Sequence, residues 1–258
     1  MAQSNDYVME SKPKEKKPET PSKINVSNWR QFKAILHKDI VMEMRTKEMI
    51  TSMGLYALLV LVIYYIALSQ AGQGFDFTRI AAGLLFLAII FTSLLGLNRS
   101  LVHEQDQGCL EALLLAPIDR PIIFLGKAVG NFIFLCIVEV FIVPIFYFLF
   151  LGGGALAQSG PWWMLVVAIL VGSVGIAGAG TLMATMSVNT RGKDFILAVM
   201  FVPVMFPLLL IIVTAMTSVI VANPGYVASF WQQIAGAVVF DVVMVGVGYV
   251  LYDFVLGA

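Results

Sequence analysis

The sequence predicts an all-α polytopic membrane protein with six transmembrane helices, preceded by an amino-terminal interfacial helix and interrupted by one short cytoplasmic helix. Composition carries the class first: of 258 residues, 59% are apolar and only 12% are charged, against roughly a quarter charged in water-soluble domains. The placement of those charges carries it further. Ten of the 16 Lys and Arg and seven of the 16 Asp and Glu fall within the first fifty residues, which leaves 15 charges for the remaining 208. An ordinary cytosolic enzyme is excluded. The formal net charge of zero supplies no basic excess for a nucleic-acid groove. Cys109 and Cys136 stand at no metal-ligand or redox spacing, and no disulfide framework follows.

Three regions follow in order. Residues 1–27 carry Lys12, Lys14, Lys16, Lys17, Pro13, Pro18 and Pro21 with hardly an apolar side chain. Such a stretch cannot bury enough surface to offset chain entropy, so it reads as a disordered cytoplasmic tail. Residues 28–50 form an amphipathic helix in which Trp29, Phe32, Leu36, Ile40 and Met44 recur every three or four positions, capped by Ser27 or Asn28. Its basic content and leading Trp suit the headgroup layer; a soluble helix packed on a partner is the other reading. Residues 51–258 form the membrane domain.

A hydrocarbon core of about 30 Å needs about 20 apolar residues in a helix. Six stretches qualify: Ser52 to Ser69, Ile80 to Leu97, Ile122 to Leu151, Trp162 to Val188, Phe195 to Val221 and Val227 to Tyr249. Pro144, Pro203 and Pro207 are the expected kink sites. The fourth stretch holds Gly172, Ser173, Gly175, Ala177, Gly178, Ala179 and Gly180, small residues that let a neighbouring helix approach closely.

Charge sets the orientation. With a cytoplasmic amino terminus, 15 of the 16 Lys and Arg lie on the inner side and only Arg79 on the other. Cytoplasmic loops are enriched in Lys and Arg, so both termini are expected inside. The loops near Gly152 to Pro161 and Ala222 to Ala228 carry no charge. Trp162, Trp163 and Trp231 then read as anchors at the outer interface.

The long polar interruption lies between the second and third spans, from Asn98 to Pro117. Leu110, Leu113 and Leu114 share one face of a short helix, with Glu104, Asp106 and Glu111 around them and Pro117 as its stop. A helix apolar on one side and acidic at its flank can enter a groove on a cytoplasmic partner; a plain solvated loop with one helical turn is the alternative.

The string Glu104-Gln-x-x-Gly108-x-Leu110-Glu111-x-Leu113-Leu114-x-x-Pro117, with Phe124-Leu-Gly-Lys127 after it and Phe91-Thr-Ser-Leu-Leu-Gly-Leu-Asn-Arg99 before it, resembles the coupling region of the CcmB family. That family provides the membrane subunit of the ABC-type haem exporter of bacterial cytochrome c maturation, within the ABC-2 permease group. Arg191, Pro203, Pro207, Leu208 to Leu210 and Asp241 fit the family's later half, so the resemblance runs from about Trp29 to Phe254.

It implies a non-catalytic permease of the bacterial inner membrane, whose short cytoplasmic helix is a coupling helix with Glu104, Gly108, Leu110, Glu111, Leu114 and Pro117 as the ATPase-coupling residues. It also implies a separate CcmA-like ATPase that binds ATP, a CcmC-like haem-handling membrane partner, a small CcmD-like subunit and two copies of this chain. Haem is the implied cargo, either crossing through this chain or leaving on a chaperone released by the ATPase cycle; no cofactor is expected to be bound directly. The residues agree on one point independently. Gly126-Lys127 and Gly192-Lys193 are the two Gly-Lys steps, and neither stands in a phosphate-cradling loop.

Glu139 and Asp241 lie within the third and sixth spans. A carboxylate in a bilayer is costly unless it is protonated, paired or facing a wet cavity, so both are candidates for function, with a bonded, neutral structural role as the alternative. Asp241 is expected nearer the cytoplasmic half. His37 and His103 are expected to be surface histidines. Two rival functions stay open: an ABC-2 permease for a lipid, polysaccharide or drug, and a proton-coupled carrier using Glu139 and Asp241.

Overall fold

A computed structural model of the chain describes residues 28–70, 77–106, 120–151, 160–188, 192–222 and 224–255. The predicted tail, residues 1–27, lies outside the described residues. Those described form seven α-helices: α1 (Asn28–Thr46), α2 (Glu48–Ser69), α3 (Phe77–Asp106), α4 (Arg120–Phe146), α5 (Trp162–Val188), α6 (Lys193–Val221) and α7 (Tyr226–Val255). Helix α4 continues into a π-helical turn at Tyr147–Leu151, just after Pro144, whose missing N–H disturbs the ladder there. Six of the helices, α2 to α7, contain stretches long and apolar enough to cross a bilayer.

Helix α1 ends earlier than the sequence pattern extends, and the chain turns at Lys47, whose φ of 55° breaks the helix. Lys47 offers no side-chain cap to α2. Glu43 does that work from the preceding helix: its Oε1 accepts the Ile50 N–H at 2.9 Å, satisfying one of the amide donors that every helix start leaves open and placing a carboxylate at the positive end of α2. At the other boundary, Pro121 is the second residue of α4, where its lost N–H costs nothing.

The spans alternate in direction. At one side, Arg99 near the end of α3 pairs with Glu48 at the start of α2 at 2.8 Å, Phe124 of α4 meets Tyr252 of α7 at 5.4 Å between ring centroids, and Ile35 of α1 joins the same small cluster. At the other, the Gly160 N–H donates to the Val219 carbonyl at 2.8 Å and Trp163 lies 6.4 Å from Trp231. Helix α1 and the end of α7 therefore share a side. Trp162, Trp163 and Trp231 are exposed, as interface anchors would be.

Helix α5 is the centre of the bundle, packed against α3, α4, α6 and α7. Its small residues are what make that position sterically open: a Cβ on Gly172 would strike the Phe86 ring at 2.5 Å, and one on Gly178 would meet Val245 at 2.7 Å. The expected packing role of this stripe is what the neighbours show. Exposed apolar faces lie on α2 and α7, where Leu55, Ile63, Val239 and Val242 stay open, and also on α4 and α6, at Val140, Phe141, Phe195 and Phe206.

Candidate functional site

Buried polar groups line a seam between α4 and α5 and a contact between α5 and α7, with Thr92 and Ser93 on α3 and the Lys127–Asp39 pair against α1 besides. Lys127, Asn131, Leu135 and Glu139 stand four residues apart on α4, and side chains at that spacing share a helix face. Three of these four positions are polar. Asn131 donates from Nδ2 to Thr181 Oγ1 at 2.9 Å, and Ser173 of α5 hydrogen-bonds Glu139 Oε1. Leu135 sits between them beside a void of about 10 Å³ that Asn131, Ser93 and Ala177 also line, a volume on the scale of one water molecule.

Glu139 is buried and partnered. Ser173 Oγ also reaches the Ile169 carbonyl one turn back at 2.8 Å. A hydroxyl has one hydrogen. If Ser173 gives it to Ile169, its bond to Glu139 requires a proton on the carboxyl; if it gives it to Glu139, Ile169 keeps only its helix partner. Either way the acid is held inside a helix contact.

Asp241 stands near the middle of α7 and meets α5 at Gly175, near that helix's midpoint. The carboxyl is buried and Oδ1 has no hydrogen-bond partner. Only glycine admits it: a Cβ on residue 175 would overlap the Asp241 carboxyl and lie 2.7 Å from Leu208. Ser173 and Gly175 are two residues apart and so point about 200° apart around α5. Helix α5 therefore stands between Glu139 and Asp241, and the structure does not join them into one relay.

Lys127, expected on the cytoplasmic side, is buried there: its side chain is 4% exposed and its Nζ pairs with Asp39 Oδ2 of α1 at 2.8 Å. The reason is the close approach of α1, whose Ile35 would lie 2.9 Å from a Cβ on Gly126; the shared helix surface takes Lys127 with it. Asp39 also meets Lys38 at 3.3 Å. This clamp was not among the sequence candidates, nor were Asn131, Thr181 or Ser173 as partners. The four-residue spacing from Lys127 through Asn131 to Glu139 was the signal available for the α4 face.

Of the coupling residues, Glu104 falls in the last turns of α3, which runs unbroken to Asp106 beyond the apolar span Ile80–Arg99. Gly108, Leu110, Glu111, Leu114 and Pro117 lie outside the described residues. His37 is exposed. Among the described residues, no three His, Cys, Asp or Glu side chains come together to hold a metal.

The geometry thus frames the undescribed connector 107–119 between two well-anchored helices, α3 on one side and α4 with its α1 clamp on the other. A family model described as "CcmB protein" matches residues 30–248. Among curated proteins, the chain is similar to "Heme exporter protein B" of Haemophilus influenzae, at 24% identity over 179 residues, covering 69% of this chain and 78% of that protein. It is also similar to "Heme exporter protein B" of Rhodobacter capsulatus, at 26% identity over 180 residues, covering 69% of this chain and 79% of that protein.

Proposed function

Since the chain belongs to the CcmB family, whose model spans residues 30–248, we propose that it is the membrane-spanning permease subunit of an ABC-type haem exporter serving cytochrome c maturation. The family match over most of the chain carries this reading, and the names of the two curated relatives agree with it. The subunit is non-catalytic. Its sequence contains no phosphate-binding loop, so ATP is bound and hydrolysed by a separate CcmA-like subunit. A CcmC-like haem-handling protein and a small CcmD-like subunit complete the assembly, with two copies of this chain so that each ATPase of a dimer meets one coupling helix. The membrane is the bacterial inner membrane, and both termini face the cytoplasm, which the distribution of Lys and Arg supports.

The mechanism follows from what holds each end of the connector. Helix α3 carries Glu104 past the bilayer, and α4 begins at Arg120 with Lys127 tied to Asp39 seven residues on. An ATPase that seats the Gly108 to Pro117 segment in a groove therefore pulls on α3, α4 and α1 together. Both α3 and α4 pack on α5, so the displacement reaches the centre of the bundle through packed side chains, with Gly172, Gly175 and Gly178 as the close contacts that slide or separate. Within the seam, Glu139 and Asn131 keep α4 registered on α5 through Ser173 and Thr181.

The purified chain by itself is expected to bind no nucleotide and hydrolyse no ATP. Adding the ATPase subunit should produce a complex, and Glu111→Lys or Leu114→Ala should weaken it by about 1 to 3 kcal/mol, the usual scale for an anchoring contact. Isothermal titration of nucleotide into the chain, and of the ATPase into reconstituted chain, reads both. Nucleotide binding by the chain alone would refute the division of labour.

A further inference from the structure

Helix α1 sorts its charges by face, and the sorting points to a ligand. Its two acids are both turned into the protein: Asp39 onto Lys127 at 2.8 Å, and Glu43 onto the Ile50 amide at 2.9 Å. The outward face holds Arg30, Lys33, His37 and Arg45, all exposed, without one acidic residue between them. Arg30, Lys33 and Arg45 form no ion pair with another described residue. Interleaved with these bases on the same face are large apolar side chains left open: Trp29 is 67% exposed, Met44 57% and Val41 49%.

The depth of this face is fixed by its neighbours. Ile35 and Leu36 reach Gly126 and Gly130 of α4, within the first three turns of a span that starts at Arg120. The turn at Lys47 leads directly into the first span, Glu48–Ser69. Helix α1 is therefore held at the level where spans end, with its inner face on protein. From these facts we infer that the outward face of α1 binds anionic phospholipid headgroups, with Arg30, Lys33 and Arg45 on the phosphates and Trp29, Val41 and Met44 in the acyl boundary.

A bilayer fits this face better than an acidic protein does. The apolar side chains are spread along a helix of 19 residues, some 28 Å at 1.5 Å per residue, with bases between them. A protein hot spot gathers its anchors at one centre; an interfacial helix alternates apolar anchors and bases along its length. Each Lys or Arg near an anionic surface strengthens binding about fivefold, and salt screens that gain. The acids that would oppose it have been withdrawn to the α4 and α2 contacts. This inference rests on the membrane placement of the chain and is independent of its cargo.

The full chain, reconstituted in nanodiscs of phosphatidylcholine containing a minority of phosphatidylglycerol, provides the test. Spin-labelled phosphatidylglycerol and phosphatidylcholine are compared for association with the wild type and with Arg30→Gln/Lys33→Gln/Arg45→Gln, whose three sites are exposed and uninvolved in packing. The wild type is expected to prefer phosphatidylglycerol severalfold, with the preference falling as salt rises and largely lost in the triple variant at unchanged thermal stability. Equal association of the two lipids with the wild type, or a preference the triple variant retains in full, would overturn the inference. So would disappearance of the preference when the ATPase subunit binds, since the face would then belong to a protein partner.

Discussion

Replacing Gly175 with valine is expected to prevent the chain from assembling its bundle. Even the first added carbon, a Cβ, overlaps the Asp241 carboxyl and lies 2.7 Å from Leu208 Cδ2. Neither can withdraw cheaply: Leu208 is fully buried, and Asp241 is a buried carboxyl whose Oδ1 already lacks a partner. Overpacking a core costs about 1 to 3 kcal/mol, with more where backbones must part. Gly175→Ala should fall in that range, and Gly175→Val should exceed it and leave little inserted, folded protein. Adding Asp241→Ala to Gly175→Ala should recover part of the loss, because the obstructing carboxyl is gone. Gly246, with nothing within 4 Å of its would-be Cβ, is the contrast; Gly246→Ala should be neutral or slightly stabilising, as alanine is the better helix former. Unfolding in mixed micelles measures all four, and a Gly175→Val protein as stable as wild type would contradict the close α5–α7 contact.

Lys127→Met is expected to cost nearly as much by a different route. The ammonium is 4% exposed and the Asp39 side chain 11% exposed, so removing the cation leaves a carboxylate in a poorly solvated helix contact. Breaking a buried pair from one side costs about 3 to 5 kcal/mol. Lys38, 3.3 Å from Asp39, keeps the loss toward the lower end. The double substitution Lys127→Met with Asp39→Leu should regain most of the stability, since an apolar pair of similar volume replaces an ion pair that was costly to desolvate. In a double-mutant cycle the coupling between the two sites should be well above that of an exposed pair, which is typically below about 1 kcal/mol. Additive effects would mean that α1 is not clamped to α4 by this contact. The exposed Arg99–Glu48 pair, by the same reasoning, should contribute little.

The spans were legible because a bilayer imposes one requirement that a sequence displays openly: about 20 apolar residues in a row. The small residues from Gly172 to Gly180 were legible as a packing surface for the same kind of reason, since a dense run of small side chains on a span has few other uses. What filled that surface was not. Asp241 is 66 positions from Gly175 in the chain, and nothing local in either sequence names the other. The clamp was hidden twice over. Lys127 lies near a span end, where a lysine usually reaches out to water, and Asp39 sits on a helix whose inward face the sequence marks only by its apolar residues. Glu139 was legible as unusual from its position alone; Ser173 was not legible as its partner, because a serine in a stripe of glycines reads as one more small residue. The coupling segment was read from a motif, and Gly108 to Pro117 lie outside the residues whose structure is described.

Haem delivery to c-type cytochromes is the most direct readout of the proposed role. In a strain from which the chromosomal copy of this chain has been deleted, haem-stained c-type cytochromes should be absent and should return when the wild-type chain is supplied. Glu139→Gln, which keeps the shape and hydrogen bonding of a neutral acid held by Ser173, should restore them as well. Glu111→Lys, inserted at normal levels, should not. A deletion strain that makes its full complement of mature c-type cytochromes would contradict the assignment.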